Sequence, residues 1–180
     1  QEGKRLDNFK AHFGDKYIFE ESRDAFDYIY LRSDLADLSG KKYHGKRNHI
    51  SAFSKKHDWF YKPITPNNIE EVKLCAEKWY AENKGREDKY LRTEKRGVET
   101  ILNNMELLGV KGGAIYADGG VVAFTLGSQI SGEIFDIHIE KALSDYAEGY
   151  TVINREFART LENYKYINRE DDMGLEGLRK

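Results

Sequence analysis

The stretch GGAIYADGGVVAFTLGSQI, residues 112–130, followed by GEIFDIHIEKA, residues 132–142, decides the fold. Asp118-Gly119 stands between two runs rich in β-branched and aromatic residues. Asp and Gly tolerate the positive φ of a type I′ turn, so the text predicts a tight hairpin. The second segment predicts a third strand. Strict alternation along it sends Phe135, Ile137 and Ile139 to one face and Ile134, Asp136, His138 and Glu140 to the other.

Helices are expected on both sides of this β-rich centre. Ile69, Val72, Ala76 and Trp79 recur at helical spacing after Thr65-Pro66, where Pro fits a first helical turn and Thr is a capping residue. Cys75 falls on the inward side of that helix and reads as a packed core thiol. Val98, Ile101, Leu102, Met105 and Leu108 predict a second amphipathic helix running to Gly109, after the polar loop ENKGREDKY. Val152, Ile153, Phe157 and Leu161 predict a third, and NYKYIN a strand after it. Upstream, DYIYL (27–31) reads as a strand and Ser33 to Gly40 as a short helical turn.

Composition narrows the class. A chain of 180 residues, 39% hydrophobic and 13% aromatic, can bury a core, which excludes overall disorder. The net charge is only −2 although 33% of residues are charged, so any electrostatic partner is drawn by local clustering. One such cluster exists. Between Leu38 and His57 there is no acidic residue, while Lys41, Lys42, Lys46, Arg47, Lys55 and Lys56 supply six cations. A single cysteine excludes an intrachain disulfide framework and fits a reducing compartment. No apolar run reaches the roughly 20 residues of a membrane helix, and the N-terminus lacks a signal-peptide core, so a cytoplasmic location is expected. The absent initiator Met and the helix-like GLEGLRK end suggest a piece of something longer.

Three segments carry a resemblance: LADLSGKKYHGKRNHISAF from Leu35, IHIEKALSDYAEGYTVINREFA from Ile137, and YINREDDMGLEGLRK from Tyr166. Together they resemble the phosphatidylglycerol lysyltransferase C-terminal-domain family, similar to Fem-type aminoacyltransferases and within the GNAT-like acyltransferase superfamily. The resemblance implies an α/β (α+β) fold, a mixed and mainly antiparallel sheet flanked by helices. It implies residues 1–57 as the end of a first GNAT-like lobe and 58–180 as a second lobe lacking its last strands. It also implies transfer of an acyl or aminoacyl group, from a thioester or an aminoacyl-tRNA, to an amine or hydroxyl acceptor such as a lipid headgroup or small molecule. The attack is expected to be direct, within a ternary complex.

Acetyl-CoA or another acyl-CoA is a further donor the resemblance allows. Yet the Gly-rich Q/R-x-x-G-x-G/A turn of CoA users is replaced by SDYAEGYTVINR, with one glycine and two acidic residues, which would repel a pyrophosphate.

Attack on an activated ester needs a base that titrates near neutrality and a donor for the oxyanion, which makes His138 and Lys141 the catalytic candidates, with Glu170. Substrate-binding candidates are Asp136, Asn154, Arg155, Asn168 and Arg169. Donor-binding candidates are Gly149, Tyr150 and Thr151, with Lys46 and Arg47 of the basic segment, whose cations suit the phosphates of a transfer RNA or an anionic lipid. The tetrapeptide INRE occurs twice, at 153–156 and 167–170, in different secondary structures. The expectation is that both copies face one cleft and cross-pair through Arg155 and Glu170. His44 and His49, five apart and without a partnering Cys, exclude a zinc site there, and no metal is expected. No Ser-His-Asp spacing stands out. The rival reading is a noncatalytic nucleic-acid or regulatory module on the same fold.

Overall fold

The computed structural model describes residues 2–20, 26–83 and 89–171. Asp172 and the helix-like GLEGLRK end lie outside them. Two compact units are present, one spanning Asp27–Glu170 and one containing the first helix, α1 (Glu2–Phe13). In the smaller unit Phe9 packs edge-on or tilted against Phe13, Tyr17 and Phe19.

The larger unit is built on a six-stranded sheet. In chain order its elements are β1 (Asp27–Leu31), α2 (Arg32–Asp37), α3 (His44–Lys56), β2 (Trp59–Pro63), α4 (Ile69–Glu82), α5 (Lys89–Asn103), β3 (Lys111–Ala117), β4 (Gly120–Gln129), β5 (Ile134–Ala142), α6 (Gly149–Thr160) and β6 (Tyr166–Asp171). The strands lie in the order β1-β6-β5-β4-β3-β2. The run from β2 to β5 is antiparallel, and β6 joins β5 in parallel through the α6 crossover.

Alternation along the strands feeds two cores. Ala114, Tyr116, Phe124 and Leu126 face α4 and α5, where Val72, Cys75, Tyr80, Val98 and Leu102 close the layer. Ile115, Ala117, Val122 and Ala123 face α3 and α6, meeting Ile50, Phe53, Val152 and Ile153. Phe53, Phe124 and Phe135 are fully buried, each contributing about 1.5–3 kcal/mol by removal from water. Burial pushes the Cys75 thiol up to about 12, as a packed core thiol requires. α3 lies before the expected 57/58 division and α6 after it, and they share this core.

The predicted hairpin forms, with Asp118 at φ 52° and Gly119 at φ 86°, both in the left-handed region a type I′ turn demands. The predicted second helix stops earlier than expected. α5 ends at Asn103, and Asn104 bonds back to the Thr100 carbonyl at 2.8 Å. The chain then turns through Gly109 at φ 63°. α4 likewise begins after Asn68, whose Oδ1 accepts from the Thr65 N–H at 2.8 Å.

The alternation of β5 is broken. Leu126 pairs with Ile139 but Gly127 pairs with Ile137, so His138 is an extra residue in the strand. Such a β-bulge puts two successive side chains on one face. Phe135 and Ile137 pack with Phe157 and Leu161 of α6, whereas Ile139 joins the core under α4 and α5. Glu140 is thereby turned toward α6, contrary to the simple alternation. Gly127 permits the close approach. A Cβ there would stand 2.2 Å from the Asp136 carbonyl oxygen and 2.6 Å from the Phe135 ring.

Candidate functional site

The parallel pair β5–β6 is short. Ile134, Phe135 and Asp136 pair with Tyr166, Ile167 and Asn168, and pairing ends there. Beyond that point the strands are bridged by side chains. Asn168, buried, donates to Asp27 Oδ2 at 2.8 Å and accepts from the Glu170 N–H at 3.1 Å. This Asx turn accompanies a left-handed Glu170, at φ 59°, and the Glu170 side chain meets His138.

Two polar groups span the gap. In the first, His138 Nδ1 lies 3.3 Å from both Asp136 Oδ2 and Glu170 Oε1, and its Nε2 lies 2.8 Å from Ser128 Oγ. The Glu170 hydrogen bond raises the His138 pKa against the opposing effect of burial, and Asp136 adds to the rise. Burial also raises the Asp136 pKa, with the His138 charge pulling it back. Asp136 Oδ1 is buried without a hydrogen-bond partner among the described residues. Asp136, His138 and Glu170 present one ligand atom each within 4.8 Å of one another, the one set among the described residues spaced to share a divalent cation.

In the second group Glu140 is the hub. Its Oε1 accepts from Arg169 at 2.7 Å and its Oε2 from Asn154 at 3.1 Å, and its side chain is only 10% exposed. Lys46 of α3 feels the charges of this group. Burial lowers its pKa, the Arg169 charge lowers it further, and Glu140 opposes both. Arg169 Nε is buried with no acceptor among the described residues.

The two INRE copies therefore converge, but not through the expected pair. Arg155 is bound to its neighbour Glu156 at 2.6 Å, because adjacent side chains on α6 close that contact locally, and Glu170 is bound to His138. The link runs from Asn154 and Arg169 to Glu140 instead.

The other candidates lie elsewhere. Lys141 is 2.9 Å from Glu94 and sits 3.9 Å above the Trp79 ring, sharing no partner with His138. Arg47 donates to the carbonyls of Leu38 and Gly40, which holds the turn before α3. Gly149 is buried where α6 meets the sheet, and a Cβ there would touch Ala123 and Ala142. Tyr150 accepts from Trp79 Nε1 at 3.2 Å. The Thr151 N–H binds the Glu148 carbonyl, and the Glu148 side chain pairs with Lys56 at 3.3 Å, so a carboxylate stands at the α6 N-terminus. Sequence reasoning missed Ser128 and the hub role of Glu140. The signal was available for Gly127, a glycine within a strand, which often marks a bulge.

A mixed, mainly antiparallel sheet flanked by helices, opening between a parallel strand pair lined with titratable groups, defines an α/β domain of the expected class. Residues 4–180 match the model of the family described as phosphatidylglycerol lysyltransferase, C-terminal, and the chain belongs to that family. It is similar to a conserved protein of unknown function from Bacteroides thetaiotaomicron, with 43% identity and TM-score 0.91 over 98% of this chain and 60% of that one. The C-terminal domain of a putative lysylphosphatidylglycerol synthetase from Agrobacterium fabrum shares the fold at 13% identity and TM-score 0.56, covering 82% of this chain and 46% of that one. L-PGS from Bacillus licheniformis does so at 14% and 0.56, covering 97% and 52%. The chain thus spans roughly half to three-fifths of these structures. Comparison with curated proteins gives no match. No helix among the described residues is long and apolar enough to cross a membrane.

Proposed function

We propose that this domain transfers an acyl or aminoacyl group from an activated ester to an amine or hydroxyl acceptor, with His138 as the general base. The observation that carries this reading is His138 in the β5–β6 gap. Two carboxylates flank one ring nitrogen and a hydroxyl meets the other. A ring so held has a fixed orientation, and its carboxylate neighbours stabilise the imidazolium formed when it accepts a proton. Asn154 and Arg169 meet at Glu140 beside the same gap and bind substrate, and Lys46 binds the donor, with Arg169 and Lys46 suited to phosphate or carboxylate oxygens.

An aminoacyl-tRNA donor is favoured over acyl-CoA, because Glu148 stands where a CoA pyrophosphate would need the α6 N-terminus. The family name adds a lysyl group and a glycerophospholipid headgroup to the candidate substrates. The test is transfer from radiolabelled aminoacyl-tRNAs, and separately from acetyl-CoA, to amines and to phosphatidylglycerol vesicles. His138→Gln is expected to lower transfer by roughly 10²–10⁴-fold with folding intact. No transfer from any donor by the parent chain, together with no thermal stabilisation by any of them, defeats the proposal.

A further inference from the structure

So far Ser128 is only the hydroxyl that meets the His138 ring, yet it is placed as a nucleophile would be. It lies on β4 opposite Asp136 of β5, and the glycine before it lets the two strands approach until Ser128 Oγ is 2.8 Å from His138 Nε2. On the far side of the ring, Nδ1 meets Asp136 and Glu170 at 3.3 Å each. The ring is already oriented by those two carboxylates and by the bulge, so the serine is not needed to hold it. Among the described residues the Ser128 side chain has no hydrogen-bond partner other than His138. Hydroxyl, imidazole and carboxylate in series, with each ring nitrogen engaged on one side, is the arrangement that makes a serine nucleophilic on unrelated folds.

We infer that Ser128 carries the acyl group as a covalent ester between the two half-reactions of the transfer proposed above. This rests on the acyl-transfer reading but replaces direct attack with a two-step route. In the first step Ser128 Oγ bonds to the acyl carbonyl carbon, its proton passes to His138 Nε2, and the bond to the donor oxygen breaks. The departing oxygen takes the proton from Nε2. In the second step the acceptor N–H or O–H gives a proton to Nε2 and its heteroatom bonds to the carbonyl carbon. The bond to Oγ breaks, and Oγ recovers the proton. No electrons are exchanged with an outside group.

The experiment is labelling of the full chain with an alkyl fluorophosphonate, followed by intact-mass and peptide mass spectrometry. One phosphonyl adduct is expected, on Ser128. It should disappear in Ser128→Ala and slow at least 100-fold in His138→Gln, with thermal unfolding showing both variants folded. Ser128→Cys, should Ser128→Ala not fold, is expected to alkylate with iodoacetamide faster than its His138→Gln double variant. Absence of an adduct, an adduct on another residue, or labelling indifferent to His138 overturns the inference. So does Ser128→Ala with undiminished transfer while His138→Gln has lost it, an outcome that spares the general base. Labelled Ser128 in a chain that transfers to no acceptor supports the nucleophile and removes the transferase reading instead.

Discussion

Replacing Gly127 with Ala tests the closeness of β4 and β5, on which the Ser128–His138 contact depends. The new Cβ would lie 2.2 Å from the Asp136 carbonyl oxygen and 2.6 Å from a Phe135 ring carbon. A carbon and a carbonyl oxygen in ordinary contact stand at about 3.3–3.6 Å, so the strands must part by roughly 1 Å. The neighbour is main chain inside a central strand pair and cannot swing aside as a flexible side chain does. Overpacking of this kind costs about 1–3 kcal/mol, and the backbone clash puts Gly127→Ala at the upper end. The lower chain entropy of Ala in the unfolded state returns about 0.4–1 kcal/mol, leaving a net loss of about 2 kcal/mol. For a domain of this size that is a fall of about 4–8 °C in Tm. Gly97→Ala is the control, since Gly97 sits in α5 with nothing within 4 Å of its virtual Cβ. It should stabilise by about 0.8–1 kcal/mol through helix propensity alone. Urea denaturation of both variants reads the difference. Should Gly127→Ala unfold within 0.5 kcal/mol of the parent, or rise with Gly97→Ala, the strand approach argued here is wrong.

Other expectations follow from the polar groups in the gap. The raised His138 pKa contributes stability that is complete below the unfolded value of about 6.5 and is lost as pH rises through the folded value. Asp136 is also raised, so its effect has the same sign and begins at more acidic pH. Stability should therefore fall with pH above about 6.5, and Glu170→Gln, which removes the largest cause, should flatten that fall. The same variant should move the acidic limb of the transfer profile, where the base loses its proton, to lower pH, whereas an unmoved limb would separate Glu170 from His138. Glu140→Gln leaves Arg169 without its carboxylate partner. A loss of about 2 kcal/mol is expected, below the figure for a fully buried pair because Arg169 is partly exposed. Adding Arg169→Gln should recover part of it in a double-mutant cycle. Lys141→Met keeps its stem over Trp79 but loses Glu94, so transfer should stay within about threefold of the parent, and a loss of 100-fold would return Lys141 to the chemistry.

The elements were legible in the sequence because each is governed by local rules. Asp118-Gly119 can close a hairpin wherever it stands between two β-rich runs, and Val152, Ile153 and Phe157 can share a face only on a helix. The polar face of β5 was legible at Asp136 and His138 for the same reason. It failed at Ile139 and Glu140, where one extra residue shifts the period. A bulge is a property of two strands: Gly127 shows it only when set beside Asp136. Ser128 was invisible for a related reason. Ten residues separate it from His138, a spacing that means nothing until the strands pair antiparallel. The proposed cross-pair between Arg155 and Glu170 failed because a neighbour on the same helix meets Arg155 first, at 2.6 Å.

The likeness of the two INRE copies now has a physical account. In the helical copy Asn154 points at the sheet, and Arg155 and Glu156 close on each other along the helix surface. In the strand copy Asn168 is spent on shaping the backbone, Arg169 crosses to Glu140, and the left-handed turn at Glu170 carries its carboxylate to His138. The same letters do different work because a helix and a strand send consecutive side chains in different directions. What joins them is Glu140, which faces α6 only because His138 bulges two positions earlier. A single inserted residue thus sets His138 between Ser128 and its carboxylates and turns Glu140 toward Asn154 and Arg169. Deleting Ile139 restores the simple alternation with Glu140 in its place on the α6 face, so the Glu140 contacts to Asn154 and Arg169 should survive, while His138 is drawn opposite Leu126 and away from Ser128.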